Sequence, residues 1–117
     1  MKRRIALFVA AAALLAAAAG CELYTGINVG WNVDSVAPNG GTARVAYTVQ
    51  NLGQYDLTGV NLQIGVDTNA GFYYTAWTSD FSLAKGQVVH RTIDVPTNGL
   101  PPVGATVLAI DMDKPGA

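Results

Sequence analysis

With seven basic and eight acidic side chains in 117 residues, the chain carries a net charge of −1 and lacks the basic footprint that nucleic-acid binding requires. A single cysteine, Cys21, and a single histidine, His90, exclude disulfide frameworks and most zinc spacings. The length is that of one domain plus an appendage.

The appendage comes first. Lys2, Arg3 and Arg4 are followed by fifteen residues without a polar side chain, Ile5 to Ala19, and then by Gly20 and Cys21. A basic start, an apolar run and small residues are the three parts of an export signal. The run falls short of the roughly 18 to 20 apolar residues that span a bilayer, and it lacks the amphipathic spacing of a core helix. Residues 1–20 are therefore expected to be removed. Ala18-Ala19-Gly20-Cys21 resembles the lipobox of bacterial lipoproteins, with alanine at 18 where leucine is commoner; the alternative is ordinary cleavage at an Ala-x-Ala site within the alanine run. The resemblance implies a diacylglyceryl group on the Cys21 sulfur, cleavage just before it and acylation of the new amino terminus. Two or three acyl chains, at about 0.8 kcal/mol per buried methylene, make dissociation negligible, and the thioether blocks a thiol that an oxidising compartment would attack. Membrane lipid would then be the first partner, held through Cys21. The expected location is the cell envelope, at the outer membrane or the outer face of the cytoplasmic membrane.

The mature chain would run from Cys21 as a lipidated residue and short tether (21–26), a domain (27–113) and a tail (114–117). It keeps Arg44, Lys85, Arg91 and Lys114 against eight acidic residues, a balance of −4. Its rhythm is two. Ile27, Val29, Trp31 and Val33 alternate with polar residues or glycine as far as Val36, which predicts a strand. Pro38-Asn39-Gly40-Gly41 is turn chemistry. Val45, Tyr47 and Val49 mark a second strand, ended by Asn51-Leu52-Gly53, and Val60, Leu62, Ile64 and Val66 mark a third. Phe72 to Trp77 is aromatic and β-branched, hence a short strand. Phe81 to Leu83 predicts another, Gln87 to Val95 a longer one stopped by Pro96, and Ala105 to Met112 the last. Glycine, proline, asparagine and threonine interrupt any window long enough for a helix. About seven short strands in some 100 residues predict an all-β, immunoglobulin-like antiparallel sandwich, with a small barrel as the alternative.

A longer stretch adds a second resemblance. Tyr47 to Ile64, with Asn51-Leu52-Gly53 closing a strand, Lys85-Gly86-Gln87 in a turn and Val95-Pro96 closing a later strand, is similar to the bacterial cell-adhesion-related class of immunoglobulin-like domains over about residues 42–96. That resemblance implies a stalk, spacer or docking module, although such domains mostly occur in tandem.

Chemistry is sparse. No cofactor and no enzymatic activity are expected: no Gly-x-Ser-x-Gly elbow occurs, and Ser35, Ser79 and Ser82 sit in turn-like contexts. A triad of serine, His90 and Asp94 is open by composition, but His90, Thr92 and Asp94 alternate on one strand as a solvated face would. Asp67 with Asn69, and Asp111 with Asp113, offer oxygen ligands for calcium, the other reading being solvated strand ends. Tyr73 and Trp77 are the binding candidates: if Phe72 and Tyr74 point inward, these two form an exposed platform about 13 Å long for a sugar ring or a protein partner. The competing reading spends Trp77 on core or edge packing. Arg91 falls in the inward phase of its strand, and an unpaired buried guanidinium costs several kcal/mol; it is expected to snorkel out at an edge or bulge, the alternative being burial against an aspartate.

Overall fold

The computed structural model describes residues 4–8 and 26–115. Cys21, the rest of the lipobox, most of the apolar run and the tether before Gly26 lie outside the described residues. Those described are all-β: β1 (Arg4–Phe8), β2 (Val29–Asn39), β3 (Thr42–Asn51), β4 (Leu57–Thr68), β5 (Tyr73–Trp77), β6 (Phe81–Leu83), β7 (Val88–Pro96) and β8 (Pro102–Asp113). One sheet runs β1-β8-β4-β5, with β6 also on β4; the other runs β2-β3-β7, and every pairing is antiparallel. Among the described residues no ladder joins the two sheets, so they form two layers rather than a closed barrel. No helix among the described residues is long and apolar enough to cross a membrane.

Alternation builds the core. Val45, Tyr47 and Val49 of β3 meet Leu62, Ile64 and Val66 of β4 and Val107, Ile110 and Met112 of β8, all at 2% exposure or less. Each fully buried side chain of this kind contributes about 1.5–3 kcal/mol. Val29, Trp31, Val33 and Val36 pack against this core from β2 and stay partly exposed, because β2 is an edge strand. Edge position also explains why β2 outlasts its predicted end: it continues past a bulge between Val33 and Ser35 to Asn39, and Pro38 is tolerated where no further neighbour needs its missing N–H. β8 likewise begins earlier than its alternation suggests, at Pro102.

The strands all run between two poles. The proximal end holds Gly26–Asn28, the 51–57 connection and the 84–87 turn; the distal end holds the connections 39–42, 68–73 and 96–102. Asn51 organises the first. Its amide donates to the carbonyls of Tyr55 and Leu83 at 2.7 and 3.0 Å and its Oδ1 accepts from Gly53 N–H at 3.0 Å, leaving it 1% exposed. Leu52 N–H and Gln54 N–H donate to the carbonyls of Asn28 and Gly26, both at 2.8 Å. Thr97 organises the distal end, with its hydroxyl donating to the Leu100 carbonyl at 2.9 Å and its side chain fully buried.

β1 was not foreseen as a strand. Arg4–Phe8 lies antiparallel along β8, with Ile5 opposite Met112 and 5% exposed, so part of the apolar run serves as sheet.

Candidate functional site

The open side of the sandwich lies between β5 and β7. Along β4, Gln63–Asp67 pairs with β5 and the stretch from Leu57 to Val60 with β6, so the chain steps down the same edge through Thr78-Ser79-Asp80. Thr78 is held to β4 as a strand residue would be: its N–H donates to the Leu62 carbonyl at 2.8 Å and its Oγ1 accepts from Leu62 N–H at 2.9 Å. Asn61 fixes the other side of the step, donating to Asp80 at 2.6 Å. Facing β7, this leaves a cleft of about 290 Å³ with Tyr47, Trp77, Thr78, Arg91, Ile93 and Asp94 among its walls.

The walls differ in chemistry. Tyr47 is 2% exposed, and burial pushes its phenol up, opposed by the Thr78 hydroxyl and the Arg91 charge. Arg91 pairs with Tyr47 across the ladder, in the inward phase, yet it is exposed: β7 is an edge, and the guanidinium turns out to lie 4.8 Å above the centre of the Phe81 ring. That stacking supplies an aromatic partner in place of a carboxylate, an arrangement worth roughly 0.5–1 kcal/mol at an exposed site. Sequence reasoning found the exit but not Phe81; the available signal was an inward-phase arginine on one sheet and an aromatic at the edge of the other. Asp94 points to the outer face, where it pairs with Arg44 at 3.1 Å and accepts from Asn39 at 3.3 Å. The hydrogen bond from Arg44 is the main cause of its carboxyl lying below the ordinary value.

Tyr73, Thr75 and Trp77 face outward while Tyr74 and Ala76 pack on the core. Phe72 is not inward: it lies before β5 in the turn and is 62% exposed. The two platform residues also differ from each other. The Tyr73 ring lies across β4 with its hydroxyl end over Gly65, in the space a side chain there would fill, while Leu108 closes on the same glycine. Its phenol is pushed up by this partial burial and then by Asp67. Trp77 is 50% exposed and lines the cleft.

His90 lies elsewhere. On the outer face of β2-β3-β7, Thr48 Oγ1 is 2.6 Å from Asp34 and 2.8 Å from His90 Nδ1, and Asn32 donates to Asp34 at 2.7 Å. The Thr48 proton goes to the carboxylate, so His90 donates to the hydroxyl rather than taking its proton, the reverse of what an activated nucleophile needs. Ser79 lines the cleft, and the structure does not bring His90 to it. The Asp67–Asn69 and Asp111–Asp113 pairs stand at opposite ends of the sheet, since Asp67 is level with Gly104 and Asp111 with Asn61. Asp113 accepts from Thr58 at 3.0 Å. Among the described residues no three His, Cys, Asp or Glu side chains cluster as metal ligands. No protein-family model, curated protein or solved structure matches the chain.

Proposed function

We propose that the chain is a bacterial envelope lipoprotein, tethered through lipidated Cys21, whose immunoglobulin-like sandwich works by non-covalent binding of a protein partner or another envelope component. The observation that carries this reading is the sequence Lys2-Arg3-Arg4, the apolar run and Ala18-Ala19-Gly20-Cys21, followed five residues later by Gly26, where the described chain resumes before β2. The immunoglobulin-like reading draws support from strand order. β2-β3-β7 corresponds to strands A-B-E of such a domain and β8-β4 to F-C, with β1 beside β8 in the place of strand G. Release of residues 1–20 would take β1 with it. The test is fractionation: wild-type protein should sediment with membranes and a Cys21→Ala variant should not mature to that state, whereas wild-type protein in the soluble fraction would end the reading.

A second reading rests on Trp77. An exposed indole beside a cleft that offers a guanidinium and hydroxyls suits stacking on a sugar ring, so the module would bind envelope glycan. Trp77→Ala should then remain folded and lose retention on cell-wall polysaccharide. In a pull-down from crosslinked envelopes, one stoichiometric protein would favour the first reading and recovered polysaccharide the second. Hydrolysis has less support, because the Asp34-Thr48-His90 arrangement lies on an open face with its protons directed away from nucleophile formation.

A further inference from the structure

We infer that the proximal end of the sandwich rests against the lipid surface, with Leu52, Tyr55 and Val88 in the headgroup region and the distal end pointing away from the membrane. This rests on the lipid anchor at Cys21. From Cys21 to Gly26 is five residues, which even fully extended reach no more than about 18 Å, against a long dimension of 42 Å for the molecule. The tether therefore selects which exposed apolar groups can meet lipid.

Those groups fall into three sets. Phe72 and Val103 (62% and 66% exposed) stand at the distal end, and Tyr73 and Trp77 on the face of β5. Leu52, Tyr55 and Val88 (54%, 43% and 46% exposed) all stand where the tether joins. They are bound to that junction by backbone. Leu52 and Gln54 donate to the carbonyls of Asn28 and Gly26, the Tyr55 ring closes on Gly26, and Leu52 packs over Gly30, which shares a row with Gln50 and Val88 across the sheet. The anchor thus cannot approach the bilayer without bringing this set along. A tyrosine with two aliphatic residues is a chemistry suited to the interfacial zone, and Lys85 on the adjacent turn can extend its ammonium to the headgroups. With Glu22 of the tether, the charged residues at this end of the mature chain, Asp56, Lys85, Asp113 and Lys114, come to a balance of −1, which offers anionic lipid no attraction, so apolar contact rather than lipid charge sets the orientation.

The test uses the mature protein purified from membranes and placed with phosphatidylcholine vesicles, with nitroxide labels on Leu52→Cys, Phe72→Cys and Val103→Cys. All three positions are exposed, and lipidated Cys21 takes up no label. On vesicle binding, collision of the label at 52 with a water-soluble nickel chelate should fall several-fold, while labels at 72 and 103 stay as accessible as in free protein. Protein that sediments with vesicles but shows equal access at all three positions, or shielding at 72 or 103, overturns the orientation alone. Protein that fails to sediment and labels at Cys21 overturns the anchor reading, and the orientation falls with it.

Discussion

The 68–73 connection at the distal end and the 51–57 connection at the proximal end use the same residue type for different physical reasons. At the distal end Gly71, at φ +80°, has open space around its missing side chain, so conformation alone calls for glycine. At the proximal end Gly53 is there for room: a methyl group would overlap the Gly26 carbonyl oxygen and come within 2.8 Å of Asn28 N. The difference teaches that a glycine can be required by a close backbone approach as well as by a left-handed conformation. The 51–57 connection is clamped onto Gly26–Asn28 by backbone contact and by the buried Asn51, while the 68–73 turn has space to spare, as does Gly86 (φ +78°) in the 84–87 turn at the proximal end.

Substitution can break this contrast, and Gly53→Ala should do most. Forcing Gly26–Asn28 away from the 51–57 connection should cost at least about 2 kcal/mol, read as a lowered midpoint in chemical denaturation. Asn51→Ala follows. It strips a partner from two carbonyls and one N–H, at about 1–3 kcal/mol for a buried group left unsatisfied, and should destabilise by about 2 kcal/mol. Gly71→Ala should cost only about 1 kcal/mol, the left-handed backbone penalty less the gain from a stiffer unfolded chain. A Gly71→Ala loss equal to that of Gly53→Ala would erase the distinction between the two connections. Smallest is the acid limb. Hydrogen bonds from Thr48, then Asn32, hold the Asp34 carboxyl below its ordinary value of 3.8. A lowered folded-state pKa stabilises fully above the unfolded value and is lost as pH falls through the folded one. Thermal melts of wild type and Asp34→Asn should therefore differ at neutral pH and converge below pH 3.8.

Period-two alternation made most strands legible, because half-buried sheets sort polar from apolar residues one by one: Tyr47 inward and Thr48 outward follow directly. Where that sorting weakens, the reading fails. Phe72 was placed in β5 on its aromatic character, but the glycine turn before it leaves it in solvent. Arg4–Phe8 carries no strand signal, because a continuous apolar run has no phase to reveal one. The cleft was half legible. Trp77 and Arg91 stood out on chemistry, but their sharing one cleft depends on β5 and β7 being edges of different sheets, and nothing local in the sequence encodes which strands end as edges. Asn51 was visible only as part of a motif, since its role is to satisfy connections that become neighbours after folding.

The most direct test of the account is the intact mass of the protein purified from membranes. A chain beginning at Cys21 and carrying a diacylglyceryl group, with or without a further acyl chain on its amino group, is the predicted result. A chain that retains residues 1–20, or one cut within the alanine run with its cysteine absent or unmodified, would contradict it.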